Sequence, residues 1–174
     1  VRENTLKTNL PIAIANTDEY IDEHLELARK YGKPVVLEEF GFPRDDFQFK
    51  KGSPVTARDE YYRHVFGRVV RSAEEGGLFA GLNFWGWGGL AGQSATNTYW
   101  QQGDDYCGDP AQEQQGLNSV YASDVSTTAI IKESSEAIER ALLPKARFVL
   151  EENSGIFTGK GPHTVEVELT SSTA

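Results

Sequence analysis

The chain has one cysteine, Cys107, in 174 residues. That excludes an intrachain disulfide and a thiolate metal cluster. It leaves the compartment open, because cytosolic proteins and secreted bacterial enzymes both fit it. No apolar run approaches the ~20 residues that a membrane-crossing helix needs, so no membrane span is expected. The chain begins at Val1 without a charged-then-apolar leader, and the expectation is that any signal peptide is absent or already removed. Positive charge is also short: 17 Lys and Arg against 26 Asp and Glu give a net charge of −9. That balance argues against a nucleic-acid backbone or an anionic membrane surface as partner. Histidines number three. His24 and His64 fall on helical segments and His163 in the tail, so all three read as structural. Asp104, Asp105 and Asp109 in "GDDYCGDP" do not have the spacing of an EF-hand loop, and no metal or cofactor is expected.

What is present is an ordinary globular composition, 39% apolar and 25% charged, long enough for one sizeable core. After an irregular lead-in over residues 1–15, Asn16 or Thr17 reads as a helix N-cap, with Asp18 and Glu19 in the first turn. Ile21, Leu25 and Ala28 recur at helical spacing, and Gly32 and Pro34 stop the helix. Val35 to Phe40 is a short apolar run of the kind buried on both faces in parallel sheets. Thr56 reads as the cap of a second helix with the stripe Tyr62, Val65, Phe66, Val69, Val70 and Ala73, ended by Gly76-Gly77. "LFAGLNFW", Leu78 to Trp85, is the next strand, followed by a long polar, glycine-rich segment from Gly86 to Ser123. A third helix is expected from about Ser126 to Leu142, with Ile130, Ile131, Ala137, Ile138, Ala141 and Leu142 facing inward.

Strands alternating with amphipathic helices imply parallel βα units, in an open doubly wound sheet or in a (β/α)8 barrel. No GxGxxG or GxxxxGK[ST] fingerprint follows either strand, which removes the main support for a nucleotide-binding open sheet. The barrel is favoured because both strands carry chemistry at their C-terminal ends, Glu39 on one and Trp85 and Trp87 on the other. Two strands cannot close a barrel, so residues 1–143 read as the C-terminal portion of a larger one. Beyond Pro144 the short alternating runs, such as Val165 to Leu169, suggest the beginning of a β-rich accessory module over 144–174.

In "KPVVLEEFGFP" two adjacent carboxylates end an apolar strand. Buried carboxylates are costly unless paired or used. Strand alternation puts Glu39 on the face of Leu37 and Glu38 on the face of Val36. One side chain would then enter the barrel mouth and the other the helix layer, where Arg68 or Arg71 is a candidate partner. Alternation alone does not say which is which. In "NFWGWGG", Trp85 and Trp87 stand among glycines that let a ligand approach the backbone. An indole face with polar neighbours suits the apolar C–H face of a pyranose.

"KPVVLEEFGFPRD", "GLNFWGWGG" and "GDPAQEQQGLNSVYASDVSTTAII", in that order over residues 15–143, resemble glycoside hydrolase family 5, and within it the endo-β-1,4-mannanase branch. The resemblance implies that the two strands are the seventh and eighth of a TIM barrel. It assigns Glu39 as the nucleophile and Trp85 as the floor of the −1 sugar subsite. Trp87 and Arg44 are candidate substrate contacts from their loop positions near the site. It further implies a retaining hydrolase, secreted or cell-surface, acting on β-1,4-mannosidic bonds of mannan, glucomannan or galactomannan without a cofactor. A family 5 β-1,4-glucanase and a non-catalytic glycan-binding protein are the alternatives. In the family the acid/base glutamate follows an Asn on the fourth strand; this sequence has no Asn-Glu dipeptide. The expected partner is therefore the N-terminal part of the same barrel, and this segment alone is not expected to turn over glycan.

Overall fold

In the computed structural model, which describes residues 5–142, helices and strands alternate as α1 (Thr5–Tyr31), β1 (Val35–Phe40), α2 (Thr56–Glu75) and β2 (Phe79–Phe84). Two very short strands, β3 (Trp87–Gly89) and β4 (Val120–Tyr121), precede α3 (Val125–Leu142). β1 and β2 pair in parallel, with α2 as the crossover between them. The expected α/β architecture is therefore present. The expected β-rich module at 144–174 lies outside the described residues.

α1 corrects the reading of its N-terminal half. The helix begins at Thr5, not at Asn16 or Thr17, and carries Pro11 within it. The stripe of Ile21, Leu25 and Ala28 in fact extends back through Thr17, Ile14, Ala13 and Leu10. Leu10 is buried in the core shared with α2, and Thr17 Oγ1 lies 2.7 Å from the Tyr61 hydroxyl. Tertiary packing thus outweighs the hydrogen bond that an internal proline forfeits. Asp18, expected to serve the helix dipole, instead bridges to α2. It lies 2.9 Å from His64 Nε2 and accepts from Arg68 Nη1 at 2.9 Å, while Arg68 also grips Asp22. The chain leaves the helix through Gly32 at φ 60°, as its position before Pro34 predicts.

α2 buries the predicted stripe, with Tyr62, Val65, Phe66 and Val69 inaccessible to solvent or nearly so. Thr56 is not its cap. The Asp45 carboxylate, in a short 3-10 turn (Asp45–Phe47), accepts from the Thr56 and Ala57 amides at 3.1 and 2.9 Å. Gly76 in the left-handed conformation closes the other end. The core is aromatic at its centre. Phe40 of β1 meets the Tyr62 ring at 5.0 Å and Phe66 edge-on at 5.7 Å, and Phe42 lies 4.8 Å from Tyr61. α3 contributes Ile130 to this core, with Ile131 and Ile138 half-buried; Leu142, expected inward, is exposed.

β1 differs most from expectation. Among the described residues it is paired along one edge only, to β2, and Val36 is 49% exposed. The two-sided burial predicted for this strand is not found there. Its register with β2 also shifts between Leu37 and Phe40. Leu37 and Phe40, three residues apart, both pack on the helix side, which strict alternation does not allow.

Candidate active site

The C-terminal ends of β1 and β2 lie side by side. Phe40 pairs with Phe84, and the Trp85 amide donates to the Phe40 carbonyl at 2.7 Å. Gly41 follows so closely that a Cβ there would stand 2.8 Å from the Trp85 carbonyl oxygen. Trp85 thus forms one side of a main-chain junction whose other side, Phe40, directly follows Glu39, although Glu39 and Trp85 are 46 positions apart.

The register shift decides how the two glutamates are presented. Without it, Glu39 would follow Leu37 into the helix layer. With it, Glu38 and Glu39 are both exposed and line one groove of about 570 Å³ between β1 and the α1 residues Thr17, Tyr20 and His24. The alternation argument that separated the two carboxylates therefore fails at this point of the strand. Of the two arginines offered as partners for a helix-facing carboxylate, Arg68 is instead held by Asp18 and Asp22. The groove runs along the unpaired edge of β1, and neither Trp85 nor Trp87 lines it. Its position follows from that open edge, so its size alone does not mark it as a substrate site.

Beyond β2 the chain turns through a cis Trp85–Gly86 peptide into β3. Trp85 is half-buried, and Trp87 is 57% exposed with its ring edge-on to Phe84 at 6.3 Å. β3 pairs in parallel with β4, an arrangement that strands of three and two residues give no periodicity to reveal. The glycines around the tryptophans serve backbone packing as well as openness. A Cβ at Gly86 would sit 2.7 Å from the Gly108 carbonyl oxygen, and one at Gly88 2.7 Å from that of Cys107. The long segment between β3 and β4 therefore lies directly against the tryptophan-bearing chain.

Arg44 is not available to a substrate. Its side chain is fully buried, with Nε donating to Gly116 O at 3.2 Å, Nη1 to Ser53 O at 3.0 Å and Nη2 to Ser119 O at 3.2 Å. Both Nη atoms also donate to the Asp124 carboxylate, at 3.0 and 2.5 Å. Five donor–acceptor contacts match the full donor capacity of a guanidinium. Sequence reasoning could not see Gly116, Ser119 and Asp124 as partners, since they lie about 70 to 80 positions downstream in the least regular part of the chain.

The same reasoning missed Arg58 altogether and weighed Asp109 only as a metal ligand. Arg58, also fully buried, donates to Phe42 O at 2.7 Å, Ser119 O at 2.8 Å and Leu117 O at 2.9 Å. Desolvation pulls its pKa below the usual arginine value, against the raising influence of Asp124 and Asp109. Asp109 accepts from the Gly116 and Asn118 amides at 2.7 and 3.0 Å and from Ser119 Oγ at 2.5 Å. The Asp104 carboxylate binds Asn97 and the Gln101 amide, which hold its pKa down. The described residues contain no cluster of three or more His, Cys, Asp or Glu able to hold a metal ion.

Residues 2–142 match the family model described as glycoside hydrolase family 5 β-mannosidase-like. A curated relative, putative mannan endo-1,4-beta-mannosidase 9 of Oryza sativa subsp. japonica, is 43% identical over 53 residues, covering 30% of this chain and 12% of the relative. Among solved structures, the glycoside hydrolase family 5 mannosidase from Rhizomucor miehei is similar over 76% of this chain, at 30% identity with a TM-score of 0.66. A variant of that enzyme, solved in complex with mannosyl-fructose, gives 29% identity and 0.67. The chain spans about a third of the length of these solved structures, 33% in each case. The match, which takes in every described residue, places this chain in the glycoside hydrolase family 5 β-mannosidase-like family.

Proposed function

We propose that this chain is part of a retaining hydrolase of β-1,4-mannosidic bonds, with Glu39 as its nucleophile. In this reading β1 and β2 are the seventh and eighth strands of a (β/α)8 barrel. The remaining strands and the acid/base carboxylate come from polypeptide outside this sequence. Active sites of such barrels gather at the C-terminal ends of the strands. The observation that carries the reading is the Trp85–Phe40 hydrogen bond, which holds an exposed carboxylate and an indole at the same end of two parallel strands.

In a retaining mechanism two carboxyl groups ~5–5.5 Å apart flank the scissile bond. The Glu39 carboxylate attacks the anomeric carbon as the partner acid protonates the departing oxygen. Water, deprotonated by that same partner, then releases the sugar from the glycosyl ester. Trp85 offers a flat apolar surface to the sugar's C–H face, and Trp87, the more exposed indole, extends it along the polymer. Mannans are too large to cross a membrane, so the enzyme acts outside the cytoplasm.

The test uses the polypeptide carrying the whole barrel. Galactomannan, glucomannan, carboxymethyl-cellulose and xylan are offered to wild type, Glu39→Gln and Glu38→Gln. Hydrolysis of the mannans that Glu39→Gln abolishes is expected. A 2-fluoro-mannoside with a good leaving group should label the peptide containing Glu39. Label on Glu38, or activity confined to carboxymethyl-cellulose, would replace this reading with a different nucleophile or a glucanase. Binding without cleavage by the wild type would make it a glycan-binding protein.

A further inference from the structure

Residues 116–121 form a strap between two parts of the molecule that the sequence holds far apart. On one side, Arg44 and Arg58 grip its carbonyls. Arg44 takes Gly116 and Ser119, and Arg58 takes Leu117 and Ser119. The Arg44 amide adds a bond to Leu117 O at 3.2 Å. On the other side, the strap's own amides hold the tryptophan segment. Val120 donates to Gly86 O at 2.8 Å, and Ala122, just past the strap, donates to Gly89 O at 2.9 Å. Asp109 stiffens the strap from within through Gly116, Asn118 and Ser119. Asp124 fixes its far end by accepting from the Tyr121 amide at 2.9 Å while holding Arg44.

The four ionic side chains are all buried and balance in charge, two guanidinium groups against two carboxylates. Desolvating four charges is costly, and apolar residues of similar volume often hold a core equally well. Directional hydrogen bonds to a particular run of carbonyls and amides are something an apolar core cannot provide. Every one of the strap's bonds described above ends on main chain or on a member of this set, so its height above the core is set by them.

We infer that Arg44, Arg58, Asp109 and Asp124 are positioning residues that fix the Trp85–Trp87 platform relative to the end of β1 through the 116–121 strap. None of the four touches a sugar; each acts on the indoles through the strap. Their glycan-level consequence rests on the function proposed above, whereas the position of the indoles does not.

The experiment labels the whole-barrel protein with 5-fluorotryptophan and assigns the Trp87 resonance by its loss in Trp87→Phe. Asp109→Asn removes one charge at constant shape, and Ser119→Ala removes only the hydroxyl bond to Asp109. In both folded variants the Trp87 fluorine resonance is expected to shift or broaden. The mannan KM is expected to rise about tenfold, as small misplacements of a binding surface do, with kcat falling less. A purely structural role would instead lower the folded fraction, reduce kcat at constant KM and leave the resonance of the folded protein in place. That result overturns the inference. If Asp109→Asn does not fold, Ser119→Ala decides by the same two readouts. If the wild type cleaves no mannan, the proposed function fails, and the fluorine resonance still decides the positioning role.

Discussion

The Trp85 amide reaches the Phe40 carbonyl at 2.7 Å, and Gly41 passes directly beneath the Trp85 carbonyl. This junction leaves no room for a side chain at position 41. Gly41→Ala would place a methyl group 2.8 Å from the Trp85 oxygen, an atom of main chain that cannot simply rotate aside. Overpacking of this kind costs about 1–3 kcal/mol. A lowered urea midpoint with an unchanged m-value is the expected result, and equal stability would show that the junction is looser than its geometry.

Arg44 and Trp87 make a second contrast, between a buried cation and an exposed indole. Removing one partner of a buried ion pair costs about 3–5 kcal/mol, because the other charge is left without compensation. Arg44→Ala strands Asp124, whose carboxylate keeps the Tyr121 amide but, as a counter-charge, only the more distant Arg58 at 3.8 Å. Trp87→Ala, on an exposed position, should leave stability within about 0.5 kcal/mol. Chemical denaturation of the two variants side by side checks both, and comparable losses would refute the assignment of Arg44 to the core.

Asp45 caps α2 from outside the helix. Asp45→Ala removes two amide partners at the first turn and should cost about 1 kcal/mol, within the usual range for a helix cap. Thr56→Ala, by contrast, deletes no capping bond and should be close to neutral. A larger effect at Thr56 than at Asp45 in thermal melts would reverse the assignment.

Burial raises the hydroxyl pKa of Tyr62, and of Tyr61 in the same core and Tyr121 outside it, above the ordinary tyrosine value of 10.0. In the unfolded chain these phenols ionise near that ordinary value, while the folded chain keeps them neutral to higher pH. The folded state therefore binds more protons in that window. Its stability is complete below pH 10.0 and falls as pH rises above it. Tyr62→Phe should make that alkaline decline shallower, as followed by denaturant midpoints between neutral and strongly alkaline pH. An unchanged slope would mean that Tyr62 does not titrate with unfolding.

The order of helices and strands was legible because each carries its own period: the α2 stripe, the apolar run of β1, the glycine and proline stops. Three things were not. The first half of α1 was hidden by Pro11, whose local cost is outweighed by Leu10 and Thr17 packing on α2. The presentation of Glu39 depends on a register shift between Leu37 and Phe40, and a sequence read at period two has no sign of an extra residue. Family resemblance chose Glu39 where alternation could not, and the shift explains why alternation was the wrong guide there. Arg44 looked like a site residue because it follows a strand end. Its true partners are backbone carbonyls of an irregular segment and the Asp124 carboxylate, which no spacing rule connects to it. The whole Arg44–Arg58–Asp109–Asp124 set was invisible for the same reason.

The unpaired edge of β1 has a practical consequence for anyone handling this stretch of polypeptide by itself. A strand that has no partner along one side among the described residues, with Val36 open to solvent, is a template for pairing with another copy. Preparations of this segment alone should self-associate with rising concentration, a tendency that dilution series in light scattering would register. Activity or binding assays on such material would sample oligomers before they sampled the site.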